Sequence, residues 1–316
     1  MSSFVSFVTA PFRGGPSAAR AVFYMMLAGL SATLGNAAIR FVSPDLHPFE
    51  ITFFRAFFSL FVLAPMLLRH GLAPLRTQHL PLHVVRGGLQ AFGMLVTHWA
   101  VAISPLAKVT ALGFTGPLFA TLVATVFMGE RFRLRRMLAL IFGFTGALVI
   151  VQPGVIDFDL GAGLALIGAF EFAITMTIVK RMARTETSLT LTLYLGLIAT
   201  PLTGIAAYFV WQPPTLVHLA WMFAFATCAT VANLSAAHAV RAADMAVVMP
   251  VGFNRLIFAA LIGFLFFAEV PGTATWIGGT MIFGASMYIA FRERTVKQET
   301  AVAAPAATAP KPVSRS

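Results

Sequence analysis

Ten apolar runs of about 20 residues dominate this sequence and restrict the folds open to it. A run of that length matches the hydrocarbon core of a bilayer, which is about 30 Å thick. Because that core offers no water to the backbone, each N–H must be bonded within its own segment, so the runs are expected to be helices. The predicted spans are roughly 21–41, 49–69, 84–103, 106–128, 136–152, 162–181, 188–210, 217–239, 244–267 and 274–291.

The composition favours the same class of protein. Hydrophobic residues make up 59% of the 316 residues and charged residues only 10%, against about 45–50% and about 25% in soluble proteins. A soluble chain of this size could not bury so much apolar surface, so we expect an all-α membrane protein embedded in a lipid bilayer. The first run is too long for the apolar region of a cleaved signal, so it is expected to remain as a helix.

The basic residues are distributed unevenly between the loops. If the N-terminus is cytoplasmic and the chain alternates sides, 18 of the 22 Lys and Arg residues fall on the cytoplasmic side. The predicted outer loops around 42–48, 153–160, 211–216 and 269–273 contain none. This positive-inside pattern predicts that both termini are cytoplasmic. It also argues that the net charge of +11 does not serve nucleic-acid binding.

A long internal repeat sets the organisation of the chain. Residues 113–130 (GFTGPLFATLVATVFMGE) and 252–269 (GFNRLIFAALIGFLFFAE) lie 139 positions apart and agree at 7 of 18 positions. A repeat of that length indicates a duplicated half rather than a short solenoid. Because each half contains five spans, an odd number, the second half crosses the membrane in the opposite sense. The sequence therefore predicts ten transmembrane helices in two inverted five-helix repeats, as in many secondary transporters.

The predicted division of the chain has four parts. A cytoplasmic N-terminal segment at 1–19 precedes a first repeat at 20–154 and a second repeat at 155–294. The remaining residues, 295–316, are rich in alanine, proline and small polar residues, so we expect a disordered cytoplasmic tail.

Several polar side chains lie inside predicted spans. Arg255 is near the centre of the ninth span, and Glu171 lies midway along the sixth. A charged group at such a depth costs about 2.5–3.5 kcal/mol by insertion scales, so it should face protein or a wet cavity. We interpret five residues as substrate-binding positions in a central polar cavity: Asn36, His98, Glu171, Asn254 and Arg255.

The roles of these five residues differ by chemistry. Arg255 and Asn254 would hold an anionic or carbonyl group of a substrate, while Glu171 would carry a proton or pair with a cationic group. His98 could titrate near neutral pH. The alternative is that these groups satisfy one another, with Glu171 paired to Arg255, and that His98 is a satisfied structural histidine.

Three further residues are interpreted as gating or structural. Pro117 and Pro250 fall in the duplicated fourth and ninth spans, where a proline removes a backbone hydrogen bond and kinks the helix. Arg55 lies inside the second span, and its structural alternative is a partner such as Glu50 or a backbone carbonyl.

Two cations and five glycines are expected at helix ends and helix contacts. Arg40 and Lys108 lie near predicted outer ends, where a long side chain can reach the interface. Small residues allow close approach of membrane helices, and the glycines expected to do so are Gly143, Gly146, Gly278, Gly279 and Gly284.

Enzymes and ATP-driven pumps are not favoured. The sequence contains no Walker lysine motif, no HExxH and no GxSxG. Its single cysteine, Cys228, provides neither an internal disulfide nor a metal cluster. We therefore expect no catalytic residues, no metal and no cofactor.

The sequence resembles the drug/metabolite transporter superfamily, and specifically its ten-helix EamA-type members, over about 20–294. The motifs that carry the resemblance are HPFEITFFR (47–55), RGG (86–88), HWAVAISPLAKVTALGFTGPLF (98–119), GFTG (143–146) and RAADMAVVMPVGFNRLIFAALIGFLFFAE (241–269). The chain departs from the family pattern at Gln152, where an arginine is usual, and at Ala268, where the first copy has glycine.

The resemblance implies a basket of inverted five-helix bundles in a bacterial inner membrane. The first, third, fourth, sixth, eighth and ninth helices would line the cavity, and these carry all five proposed binding residues but not Arg55. Members of the family move amino acids, nucleotide-like metabolites, riboflavin, S-adenosylmethionine or metallophores. The segment RAAD…FNRLIFAA is similar to members that take planar, polar metabolites.

The function predicted from these features is secondary or facilitative transport of a small polar or amphipathic metabolite by alternating access. Uptake of riboflavin or S-adenosylmethionine is the leading hypothesis. A first alternative is an exporter of amino acids or drugs. A second, from another class, is an intramembrane enzyme or scaffold, which would need a catalytic dyad at one depth or a large soluble extension. A homodimer stays open as the assembly.

Overall fold

The computed structural model describes residues 18–71, 75, 77–128, 134–152, 159–182, 185–242 and 245–303. Several predicted features lie outside these residues, namely the segment 1–17, Glu130 at the end of the first repeat copy, the domain boundary at 154, and residues 304–316. The described chain is built of helices joined by short connections.

Twelve helices form the described part of the chain. They are α1 Ala18–Val42, α2 Pro48–His70, α3 Leu80–Ile103, α4 Leu106–Gly113, α5 Gly116–Met128, α6 Leu134–Val151, α7 Leu160–Met182, α8 Ser188–Tyr208, α9 Leu216–Ala242, α10 Met245–Gly252, α11 Asn254–Phe267 and α12 Thr273–Ala303.

The predicted spans correspond to these helices. Nine segments of the described chain combine the length and the hydropathy of a membrane-spanning helix. The tenth predicted span is α3, which is 24 residues long. Its hydropathy is lowered by four polar side chains, His83, Arg86, Gln90 and His98.

The last helix continues beyond the predicted start of the tail. The sequence predicted disorder from 295, whereas α12 runs to Ala303. Residues 292–303 contain arginine, glutamate, lysine, glutamine and alanine, all of which have high helix propensity. The proline at 305 cannot continue a helix.

The fourth and ninth spans are each interrupted at the same position of the repeat. α4 ends at Gly113 and α5 begins at Gly116, while α10 ends at Gly252 and α11 begins at Asn254. At both interruptions the backbone N–H groups bond three residues back, as in Thr115 N to Leu112 O (2.9 Å) and Phe253 N to Pro250 O (3.3 Å). Each of these spans is therefore two half-helices.

The prolines act differently at the two interruptions. Pro117 is the second residue of α5, where a missing N–H leaves no intrahelical bond unmade. Pro250 lies inside α10, so its missing N–H removes a helical bond shortly before the break. Both prolines are exposed.

Helix pairing follows the same pattern in the two halves of the sequence. α1 packs mainly against α9, and α3 packs mainly against α7. α1 also contacts both halves of the ninth span, and α7 contacts both halves of the fourth. α2 pairs with α8, and α6 pairs with α12.

Small residues allow the closest of these contacts. A Cβ at Gly146 would lie 2.7 Å from the carbonyl oxygen of Gly278, so α6 and α12 meet backbone to backbone. The Cβ of a residue at Gly143 would lie 2.9 Å from Ala285. The predicted close contact is confirmed at these glycines but is absent at Gly284, where an added Cβ would have no neighbouring heavy atom within 4 Å among the described residues.

Candidate functional site

Arg255 lies in the first turn of α11, immediately after the interruption of the ninth span. Its side chain is exposed, whereas its neighbours Asn254 and Leu256 are buried. Within the described residues it forms no ion pair or hydrogen bond. The guanidinium is therefore not enclosed by packed protein.

Asn254 fixes α11 against α1. Its side chain is 7% exposed, and Nδ2 donates to the carbonyl of Met25 (3.2 Å) and to Sδ of Met26 (3.0 Å). Oδ1 is buried and has no hydrogen-bond partner among the described residues. A Cβ at Gly29 would overlap this oxygen, so glycine there is what admits the amide.

Asn36 lies two turns further along α1 than Gly29. Its side chain is partly exposed, and it forms no hydrogen bond with another described residue. The amide therefore has no described partner and is open to a ligand.

Glu171 lies at the middle of α7 and is 5% exposed. Its Oε1 accepts a hydrogen bond from the hydroxyl of Thr175. Its Oε2 packs against Gly93 of α3, where a Cβ would overlap the oxygen. The alternative pairing with Arg255 is not formed, so the two charged groups of the predicted cavity do not neutralise each other.

His98 and Arg55 form a cluster with Phe225 between α2, α3 and α9. Nδ1 of His98 shares a hydrogen bond with Oγ1 of Thr52 (2.9 Å), and the His98 ring meets Phe225 edge-on at 5.1 Å. The guanidinium of Arg55 lies 5.6 Å from the centre of the Phe225 ring. His98 therefore has a hydrogen-bond partner within the protein, which agrees with the interpretation of this residue as a structural histidine.

Arg55 does not pair with Glu50, the partner suggested for it if its role is structural. Its Nη1 contacts Sδ of Met94 at 3.0 Å. Glu50 is instead fully buried and accepts a hydrogen bond from the backbone N–H of Gln212 (3.1 Å). Arg55 therefore lies beside the aromatic cluster, and no described carboxylate pairs with it.

Three phenylalanines join the two interruptions. Phe114 and Phe253, the equivalent residues of the repeat copies, stack with ring centres 5.9 Å apart. Phe283 of α12 meets Phe253 at 4.4 Å and Phe114 at 6.0 Å. The contact brings the N-terminal ends of the half-helices α5 and α11 close together at mid-span.

An ion-pair network closes one end of the bundle. Arg40 at the end of α1 pairs with Glu269 (2.7 Å) and donates to the carbonyl of Ser104 (2.6 Å). Lys108 of α4 pairs with Asp159 at the start of α7 (2.6 Å). We call this end, defined by these five residues, the Arg40 face.

The Arg40 face differs from the sequence expectation for its two cations. Arg40 and Lys108 were expected to extend to the interface, but both are partly buried in ion pairs. Partial burial alone would raise the pKa of Asp159; hydrogen bonds from Lys108, the Ala162 N–H and Ser104 outweigh it and lower that pKa. The sequence did contain a hint of these ion pairs, because Glu269 and Asp159 lie at the same predicted membrane depth as the two cations.

A cleft of about 180 Å³ opens beside this network. It lies between α4, α11 and the start of α12, and Lys108 and Glu269 are among its lining residues. The rest of the lining is mostly small or apolar, including Ala107, Ala260 and Gly263. The cleft follows the line along which the fourth and ninth spans meet.

Comparison with known proteins decides the family. A family model described as the EamA-like transporter family matches residues 19–152 and 159–291. The chain belongs to this family. The described helices agree with that result, because an EamA-like transporter is a multi-pass membrane protein and nine described segments can span a bilayer.

Named relatives of this EamA-like transporter carry different substrates. The S-adenosylmethionine uptake transporter of Rickettsia bellii is 27% identical over 271 residues, covering 86% of this chain and 93% of that protein. The riboflavin transporter of Rhizobium johnstonii is 32% identical and covers 84% and 89%. The pseudopaline exporter of Pseudomonas aeruginosa is 26% identical and covers 83% and 92%.

A solved crystal structure supports the fold. It covers 89% of this chain and 98% of its own, with a TM-score of 0.59 at 17% identity. The family and its named relatives are transporters rather than enzymes, and the chain fits a transporter of small metabolites.

Proposed function

We propose that this EamA-like transporter moves its substrate by alternating access between two inverted five-helix repeats, residues 20–154 and 155–294. The interruptions of the fourth and ninth spans fall at equivalent repeat positions. The pairing of α1 with α9 corresponds to that of α7 with α3 when the two halves are exchanged. Both features are expected of an inverted repeat that encloses a site near mid-membrane.

The substrate site is proposed to lie beside the two interruptions. The observation that carries this proposal is Arg255, an accessible guanidinium at the middle of a span, with no partner among the described residues. The N-termini of α5 and α11 add the partial positive charge of helix ends, which favours an anionic group. Asn36 supplies an available amide, and Asn254 positions Arg255 by holding α11 against α1.

The aromatic residues favour a planar portion of the substrate. Phe114, Phe253 and Phe283 present ring surface next to the positive end of α11. An amphipathic metabolite would place an anionic or carbonyl group on Arg255 and a flat ring system against these phenylalanines. Glu171 and His98, on α7 and α3, are buried, and neither is assigned a direct contact with the substrate.

Uptake of S-adenosylmethionine or riboflavin is the substrate hypothesis that we favour. The relatives named for these substrates match more than four-fifths of this chain. Export of amino acids or drugs is the second candidate, because a relative named as an exporter, the pseudopaline exporter, matches over a similar length. The protein would reside in a bacterial inner membrane with both termini in the cytoplasm, in accord with the distribution of Lys and Arg.

Uptake into proteoliposomes tests the proposal. Labelled S-adenosylmethionine and riboflavin are offered to vesicles containing the natural protein, Arg255→Ala, or Arg135→Ala as a control from the exposed start of α6. Loss of the charged contact is expected to reduce uptake by about tenfold or more, while the control matches the natural protein. Normal uptake by Arg255→Ala would remove Arg255 from the site.

The direction of transport needs a separate measurement. Vesicles preloaded with each label report efflux under the same conditions as influx. In cells that express the protein, net accumulation of label supports uptake, whereas protection against an added toxic analogue supports export. Reporter tags at each terminus test the proposed orientation.

A further inference from the structure

Glu171 occupies an unusual position for a carboxylate. It is the twelfth of the 23 residues of α7, near the middle of the sixth span, and its side chain is 5% exposed. The hydroxyl of Thr175 bonds Oε1, and the backbone of α3 passes close to Oε2 at Gly93. A residue with a Cβ at position 93 would overlap this carboxyl group, so glycine there leaves room for it.

The charged groups on the helices around Glu171 are engaged elsewhere. α7 packs against α3, α4 and α5. On α3, Arg86 donates to the carbonyl of Leu191 (2.9 Å) and His98 is bonded to Thr52. On α4, Lys108 is paired with Asp159.

The remaining titratable groups nearby do not pair with Glu171 either. His83, on the first turn of α3, faces Glu186 at 3.9 Å, and the described residues of α5 include no titratable side chain. Arg55, which reaches α3 from α2, ends on Met94. On α7 itself, Arg181 is exposed near the last turn.

A buried carboxylate without a cation is costly in a bilayer, and protonation removes that cost. We propose that Glu171 is the proton-binding site through which this transporter couples substrate movement to a proton gradient. The carboxylate takes a proton from water on one side of the membrane, stays neutral while the transporter changes its open side, and releases the proton to water on the other side. This inference rests on the proposed function.

Thr175 suits a group that changes protonation state. Its hydroxyl donates to the carboxylate, and after rotation it can accept a hydrogen bond from the carboxylic acid. The carboxyl group therefore keeps a partner in both states. A sodium site would need several oxygen ligands around the ion, whereas the side-chain hydrogen bond described at this carboxylate comes from one hydroxyl, that of Thr175.

Infrared difference spectroscopy tests the proton site without a substrate. Spectra of the purified protein at a series of pH values should show the carbonyl band of a protonated carboxylic acid that disappears on raising the pH. The component contributed by Glu171 should be missing from Glu171→Gln and present in Glu186→Gln, a carboxylate held by Thr77 at 2.5 Å near a helix end. A band that is the same in Glu171→Gln as in the natural protein overturns the assignment.

Transport then tests the coupling. For one proton per substrate, an inward gradient of about one pH unit would support about tenfold accumulation. The natural protein and Glu186→Gln should accumulate substrate under this gradient and lose the accumulation when a protonophore is added. Glu171→Gln should lose it too, yet still exchange labelled for unlabelled substrate.

The separation of exchange from accumulation distinguishes coupling from folding. A variant that has merely misfolded would lose both activities. Accumulation driven by a sodium gradient, or accumulation by Glu171→Gln under the pH gradient, would contradict the proposal. If neither candidate substrate moves in any vesicle, the proposed function fails, and the infrared result still decides the proton site.

Discussion

At the scale of single residues, the amide of Asn254 has little freedom. It bonds the backbone of α1 through Nδ2 and presses Oδ1 against Gly29, so it holds α11 and α1 at a fixed spacing. Arg255 follows directly in the sequence and projects into accessible space. The position of the guanidinium therefore depends on a contact that involves neither substrate nor charge.

Replacing Gly29 tests this dependence. Gly29→Ala places a methyl group where Oδ1 of Asn254 lies, so the amide must leave Met25 and α11 must shift. Overpacking of this kind costs about 1–3 kcal/mol, and substrate affinity should fall with it. Thermal unfolding in detergent and uptake kinetics measure the two effects.

Gly284→Ala is the matched control for that substitution. Gly284 is also helical, but no described atom lies within 4 Å of the position of an added Cβ. Alanine there should leave uptake unchanged and stabilise the helix by about 0.5–1 kcal/mol. Equal behaviour of the two variants would show that the spacing of α1 and α11 does not matter.

Asp159 gives the Arg40 face a defined response to acid. Because its pKa is lowered in the folded protein, the carboxylate contributes stability that is present above its unfolded value of 3.8 and is lost as the pH falls through the folded value. The unfolding temperature should therefore fall more steeply below about pH 4 in the natural protein than in Asp159→Asn. Parallel curves for the two proteins would contradict this linkage.

At the scale of helices, length and hydropathy were enough to predict the spans, while their interruptions needed more. The apolar runs correspond to helices because the bilayer sets their length and requires their hydrogen bonds. The prolines suggested kinks at unaligned positions, 117 and 250. The interruptions instead fall at aligned positions, after Gly113 and Gly252. Pro117 follows the first interruption, whereas Pro250 precedes the second.

The partners of the polar side chains could not be predicted from length and hydropathy. Arg40 and Glu269 are far apart in the sequence, and no periodic pattern says that the ends of α1 and α11 converge. Glu171 and Arg255 were both recognised because charge is rare in lipid, yet the sequence did not reveal that they stay apart. The sequence gives the depth of a polar residue in the membrane, but the partner of that residue depends on how the helices pack.

Pro250 allows a test of the interrupted ninth span. Pro250→Ala restores the N–H that the proline lacks, so α10 can bond continuously and approach a straight helix. We expect substrate binding to persist and the maximal rate of transport to fall several-fold, because an added helical hydrogen bond would stiffen the segment before the break. Pro201→Ala, in the exposed part of α8, is the control. An unchanged maximal rate would assign Pro250 a purely structural role.

At the scale of the whole molecule, the Arg40 face connects the two sequence halves. Arg40 and Lys108 come from the first half, and their acidic partners Glu269 and Asp159 come from the second. A transporter that alternates must break such contacts whenever this end opens. The cleft beside Lys108 and Glu269 lies where an opening path between the fourth and ninth spans would begin.

Breaking one ion pair should shift the molecule toward an open Arg40 face. Glu269→Gln removes the charge that holds Arg40 and weakens the acceptor of the Leu106 N–H, which bonds Glu269 at 2.9 Å. A cysteine at Ala260, in the lining of the cleft, reports the opening through its labelling rate by a water-soluble maleimide, once Cys228 has been replaced by alanine. A shift of about 1.4 kcal/mol raises the open population about tenfold while that state is minor, and the labelling rate should rise with it.

Glu186→Gln, at a carboxylate outside this face, should leave the labelling rate unchanged. An unchanged labelling rate in Glu269→Gln would show that the network does not control access from this end.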